Sequence, residues 1–199
     1  MLLVAAGPGL AADHDWSGSY AGISIGYAAD GRDRVSVNPP GTIVGTLITQ
    51  GPLVAVSLGQ NWQNGRTLWG IEAELMGGGI GSDVSDGTIR AATNQDYSAG
   101  LRLRLGFLQE ESLFYIAGGV ELARFGYSVT GGGAAIDTKF STQGYTIGAG
   151  WEQELTDDWS VRAEYRYSTF DSKVLTDGTV TTKATPVYHS VRLGLTTRF

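Results

Sequence analysis

Trp159-Ser160-Val161-Arg162-Ala163-Glu164-Tyr165-Arg166-Tyr167-Ser168 alternates without a break: Val161, Ala163, Tyr165 and Tyr167 fall on one phase, and Arg162, Glu164 and Arg166 on the other. A period of two belongs to a β-strand, whose successive side chains point to opposite faces. One face of this strand is apolar, and the other carries both signs of charge. The inner face of a soluble β-sandwich cannot hold this many charges. A barrel that turns its apolar phase to lipid and its charged phase to a lumen can.

The same text recurs along the chain. Eight alternating segments are read as strands: Tyr20–Ala28, Leu53–Gln63, Thr67–Met76, Gln95–Phe107, Leu113–Leu122, Thr142–Gln153, Trp159–Ser168 and Pro186–Phe199. Each is near the 9–11 residues that a tilted strand needs to cross a bilayer. Tight turns at Gln63-Asn64-Gly65-Arg66, Gln109-Glu110-Glu111-Ser112 and Thr156-Asp157-Asp158 alternate with long polar stretches near Ala29–Pro52, Gly77–Asn94, Ala123–Ser141 and Thr169–Thr185. Short turns on one side and long loops on the other are the pattern of an outer-membrane barrel. The expected fold is all-β: an eight-stranded antiparallel up-and-down transmembrane β-barrel, with both termini periplasmic and the long stretches forming flexible outer loops.

Phase assignment sends every strand charge to the lumen. The acids are Glu72, Glu74, Glu121, Glu152 and Glu164; the bases are Arg102, Arg104, Arg162, Arg166 and Arg192, with Arg198 near the periplasmic rim. A basic side chain facing lipid would cost roughly 2–4 kcal/mol at mid-bilayer, which accounts for the segregation. Aromatics give an independent check. On the outward phase, Trp62, Trp69, Phe107, Phe114, Trp159 and Phe199 lie near one set of strand ends, and Tyr27, Tyr97, Tyr145 and Tyr167 near the other. Two such rings form the girdles that barrels carry at the headgroup level.

The whole chain narrows the function classes. A net charge of -6 without a basic stripe excludes a nucleic-acid partner. Zero cysteines exclude a disulfide scaffold and a thiolate metal site. The apolar run Leu2-Leu3-Val4-Ala5-Ala6, followed by small residues at Gly9 and Ala11, reads as a signal peptide over residues 1–11, with the barrel occupying 12–199.

Several motifs resemble a known family. Trp16-Ser17-Gly18-Ser19-Tyr20-Ala21-Gly22 resembles the opening strand of small outer-membrane β-barrels of the OmpA-like surface-antigen superfamily, and Gly59-Gln60-Asn61-Trp62-Gln63 is similar to its second-strand ending. The best match runs from Gly144-Tyr145-Thr146-Ile147-Gly148-Ala149-Gly150-Trp151-Glu152 through the Thr156-Asp157-Asp158 turn to Tyr167. Val191-Arg192-Leu193-Gly194-Leu195-Thr196-Thr197-Arg198-Phe199 resembles the C-terminal signal, ending in Phe199, that the barrel-assembly machinery reads. The resemblance implies a fold and a location in the outer membrane. It does not imply one activity, since the family includes antigens, adhesins and lipid-surface stabilisers. Larger OmpA-type proteins continue into a periplasmic peptidoglycan-binding domain; here the chain stops at Phe199, and no such domain is expected.

Three readings of the lumen charges follow: a paired interior network that fills a narrow barrel, a narrow ion path lined by both signs, or carboxylates in acid–base catalysis. The Arg content argues against the last, because it holds carboxylates ionised. His189 falls on the lipid phase near the outer rim and its neighbour Ser190 on the lumen phase, so a lipid A-modifying Ser–His pair is not expected. His14, far away in the N-terminal tail, adds no metal or haem site, and no cofactor is expected. Gly77-Gly78-Gly79-Ile80-Gly81 and Gly131-Gly132-Gly133 lack the lysine and spacing of phosphate loops. Lys173, Lys183, Arg32 and Arg34 lie in outer loops, either solvated or meeting lipopolysaccharide phosphates. The expected partners are outer-membrane lipid and lipopolysaccharide, the barrel-assembly machinery, and proteins that meet the outer loops. The leading expectation is a structural, envelope-supporting barrel, with a small-solute channel as the alternative and an enzyme disfavoured.

Overall fold

The computed structural model describes residues 15–39 and 41–199; the segment read as a signal peptide and His14 lie outside the described residues. The described residues form no helix. Their strands are β1 (Gly18–Val37), β2 (Thr42–Asn64), β3 (Thr67–Gly78), β4 (Gly81–Ser85), β5 (Arg90–Gln109), β6 (Ser112–Gly131), β7 (Ala134–Glu154), β8 (Trp159–Phe170), β9 (Lys173–Thr176), β10 (Thr181–Ala184) and β11 (Val187–Arg198). Eight of them close a ring in the order β1-β2-β3-β5-β6-β7-β8-β11, and β11 pairs back to β1. Every neighbour is antiparallel, and the ring is closed where β1 pairs with β11, up to Ala29, and β7 with β8, from Gly144; the distal parts of β1 and β7 are paired by β2 and β6 on one side only. Strand β4 carries the line of β3 onward between β2 and β5, while β9 and β10 form a separate hairpin.

The end that holds the tight turns is called proximal here. At one of them Asn64 pairs with Thr67, and Gly65 adopts φ +59°, a conformation that suits glycine. The distal end differs from the sequence expectation. The stretches read as long flexible loops are largely strand: β1 runs on to Val37, β2 begins at Thr42, β6 reaches Gly131 and β7 starts at Ala134. Gly131-Gly132-Gly133 is the tight reversal between β6 and β7, with all three residues at positive φ, and Gly77–Gly81 spans the join between β3 and β4.

The physical reason is an inversion of polarity along each strand. On the lumen phase of β6, Glu121 is followed by Ala123, Phe125, Tyr127 and Val129, all buried. A bulge between Ala28 and Gly31 in β1 shifts the phase by one, so that Asp33, Val35 and Val37 turn inward. Beyond the apolar belt the extended strands are apolar inside and mostly polar outside.

Three layers therefore stack along the axis. A proximal apolar cluster contains Trp16, Leu68, Leu108, Leu113, Tyr115 and Ala117. The charged layer follows. A distal cluster includes Val35, Leu47, Phe125, Phe140, Phe170 and Tyr188, and the β9–β10 hairpin folds Leu175, Val180 and Ala184 onto it.

Candidate functional site

The charged layer is built by register. Glu72 lies opposite Arg102 across β3 and β5, Arg162 opposite Glu152 across β7 and β8, and Arg192 opposite Glu164 across β8 and β11. The ion pairs run mainly across the lumen. Glu72, fully buried, pairs with Arg102 and, at 2.6 Å, with Arg162. Arg166 grips Glu74 with two hydrogen bonds of 2.6 and 3.0 Å, and Arg192 reaches the same carboxylate at 2.8 Å. Glu164 receives Arg102 at 2.8 Å, Arg166 at 2.6 Å and the Tyr115 hydroxyl at 2.8 Å.

Arg104 and Glu152 pair at 2.8 Å nearer the proximal end. Tyr20 joins them to the rest: its hydroxyl accepts from Arg104 at 2.9 Å and donates to Glu72 at 2.9 Å. The Arg104 guanidinium also lies over the Tyr115 ring, 4.1 Å from its centroid. Two glycines make room for these tyrosines. A Cβ at Gly59 would collide with the Tyr20 ring, and one at Gly150 with the Tyr115 ring.

Nine of the ten central charges thus form one connected web. Glu121 is the exception: it points into the same lumen, buried, yet accepts only the Ser168 hydroxyl at 3.3 Å, and among the described residues no cation pairs with it. Arg198 sits at the proximal rim, 3.0 Å from Glu154, with its guanidinium over the Trp16 ring. Sequence reasoning missed Tyr20 and Tyr115. The glycines opposite them, Gly59 and Gly150, were the available signal, since a glycine inside a strand marks a close approach.

On the outer wall, Trp62, Trp69, Phe107, Phe114, Trp159 and Phe199 are exposed toward the proximal end, and Trp62 stacks on Trp69 at 4.2 Å. Trp151, exposed opposite Phe114, extends that ring. Tyr27, Tyr97 and Tyr145 are exposed at the distal level, while Tyr167 is half-buried against the His189 ring. The His189 Nδ1 lies 2.5 Å from the Tyr165 hydroxyl; Ser190 is buried in the lumen, where it accepts from Arg192. The two neighbours therefore occupy opposite sides of the wall. Among the described residues no group of three or more His, Asp or Glu converges as metal ligands.

Comparison with known proteins places this architecture. The outer membrane protein beta-barrel domain family matches residues 1–199. The chain belongs to this family. It is 29% identical to a 31 kDa outer-membrane immunogenic protein of Brucella melitensis, over 92% of this chain and 84% of that one. It is 27% identical to a 25 kDa outer-membrane immunogenic protein of Brucella abortus, over 82% of this chain and 70% of the other. Among solved structures, OprG of Pseudomonas aeruginosa superposes with a TM-score of 0.61 at 11% identity, over 95% of this chain and 99% of that one. Neisserial surface protein A superposes with a TM-score of 0.54 at 16% identity, over 92% and 98%. This member of the beta-barrel domain family is an outer-membrane protein, and the two Brucella relatives are named as outer-membrane immunogenic proteins.

Proposed function

We propose that this protein is a non-conducting, non-enzymatic structural barrel of the outer membrane, with its termini and short turns in the periplasm and its distal extension outside the cell. The observation that carries this reading is the layering of the lumen. A web of nine paired charges lies between two clusters of apolar side chains, so a hydrated ion meets a largely apolar layer on either side of the charges. Opening a path would require breaking several buried ion pairs together, each costly to leave unpaired. Catalysis finds no support in the wall either, because the Ser190 and His189 side chains diverge. The phosphate-bearing outer leaflet and whatever meets the distal hairpins are then the partners, and Phe199, exposed at the last strand, is the residue offered to the assembly machinery.

Planar-bilayer recording of the refolded chain tests this directly. The expected result is silence from a preparation shown to be folded, together with detergent sensitivity in cells lacking the protein. Reproducible current steps that change in Glu74→Ala would overturn the reading in favour of a channel.

A further inference from the structure

The lipid-facing wall is not uniform. Small side chains at Ala73 and Ala99, bordered by Leu58, Leu101 and Leu122, leave an apolar groove of about 730 Å³ that extends from β1 to β6. A second apolar depression shares Val56 and Leu75 with it and leads distally to Tyr97. Tyr97 is directly opposite Arg124, two residues beyond Leu122 on β6. There Arg124 and Lys139 both approach one oxygen of Asp96, at 3.8 and 2.9 Å. Their side chains remain 45% and 58% exposed, so most of their donors are uncommitted.

We propose that this wall is a binding site for lipid A, with acyl chains in the groove and a phosphate on the Arg124–Lys139 pair. Three features point to that occupant. The cationic pair stands just distal to the last apolar row, at the level of the exposed Tyr97 and Tyr145, where a headgroup phosphate lies. Its charge complements a phosphate, which takes short charge-assisted hydrogen bonds from Arg and Lys. The groove is continuous with the lipid-facing belt and is five barrel strands wide, which suits a lipid of several chains better than a single-chain slot would. The inference rests on the proposed orientation, with the distal end outside.

Native mass spectrometry of the full chain, extracted from outer membranes in mild detergent, reads the retained lipid. The wild type is expected to carry lipid A. Arg124→Gln with Lys139→Gln should lower the retained fraction at least tenfold, and Ala99→Trp, which fills the groove, should lower it as well. Lys173→Gln with Lys183→Gln should leave it unchanged. Retention in the Arg124/Lys139 variant equal to wild type would overturn the site. So would a wild type that carries no lipid A, or one that prefers phosphatidylglycerol. Amine labelling of Lys173 on intact cells checks the orientation separately, so a failure of that reading is distinguishable from a failure of the site.

Discussion

At the residue scale, partner count decides what each lumen charge is worth. Glu72 satisfies two guanidiniums and the Tyr20 hydroxyl while fully buried. Removing one partner of a buried ion pair strands the other charge, at a cost of about 3–5 kcal/mol. Glu72→Gln is therefore expected to lower the unfolding free energy of the vesicle-inserted barrel, read by urea titration, by an amount in that range. Glu121, held by a single hydroxyl, strands no cation when neutralised. Glu121→Gln is expected to shift the same free energy by less than about 1 kcal/mol, consistent with one ordinary hydrogen bond; a loss as large as that of Glu72→Gln would show Glu121 to be part of the web. Gly59→Ala tests the web through its tyrosine. The added methyl would displace the Tyr20 ring and with it the link between Arg104 and Glu72, and overpacking of this kind costs about 1–3 kcal/mol. The identity of the charged residues was legible in the alternation of the sequence. Which of them meet was not, because the pairs join β3 to β8 and β3 to β11 across the lumen, and local spacing carries no record of cross-lumen neighbours.

At the element scale, the β9–β10 hairpin is held to the distal mouth by few polar ties. Asn38 and Thr181 exchange backbone hydrogen bonds of 3.0 and 2.7 Å, the Asp177 carboxylate accepts the Ala135 N–H at 2.9 Å, and the Asp33 carboxylate accepts the Thr185 N–H at 3.0 Å. Backbone N–H groups of Val180, Ala135 and Thr179 hold Asp177 below its usual carboxylate range. Asp33 goes the other way: burial pushes its carboxyl up to about 6, against the opposing pull of the Thr185 N–H and the Lys183 charge. A carboxyl whose folded-state value is raised contributes stability that is complete below its unfolded value, near 3.8, and is lost as pH rises through 6. Hydrogen exchange across β9 and β10 should accordingly show the hairpin opening more readily at pH 7 than at pH 4, by up to about 3 kcal/mol. Asp33→Asn should remove that dependence and leave the hairpin as closed at pH 7 as at pH 4. An unchanged pH profile in the variant would mean that another group governs the hairpin. None of this extension was read correctly from the sequence, and the reason is specific. Val35, Val37, Phe125, Tyr127 and Val129 keep the period of two, but beyond the bilayer their apolar phase faces the lumen, so the rule that assigns apolar residues to lipid reverses there. The glycines, serines and threonines of the opposite phase then resemble loop composition.

At the scale of the whole molecule, one ring passes through two solvents, and the outer wall records where they change. Leu103 is 64% exposed on the belt, whereas Ile48, 52% exposed on β2, lies beyond the level of Tyr27 on the distal extension. Surface accessibility alone treats the two alike. The surrounding medium does not: an arginine at mid-bilayer costs roughly 2–4 kcal/mol, and the cost falls toward zero near the interface. Leu103→Arg is expected to lower folding stability in lipid vesicles by that amount, and Ile48→Arg to leave it within about 0.5 kcal/mol. Folding both variants in detergent micelles as well separates the membrane term from any defect in the barrel, since a flexible micelle lets the arginine of Leu103→Arg reach water. If Ile48→Arg were as costly as Leu103→Arg in vesicles, the bilayer would cover the extension, and the inversion of polarity in β1 and β6 would lose its explanation. If neither were costly, the apolar belt would not face lipid. The segregation of every charge within the apolar belt to the lumen, visible first in Trp159–Ser168, depends on the penalty at Leu103 being real, because nothing in the strand geometry itself prevents an arginine from pointing outward, as Arg124 does beyond the belt.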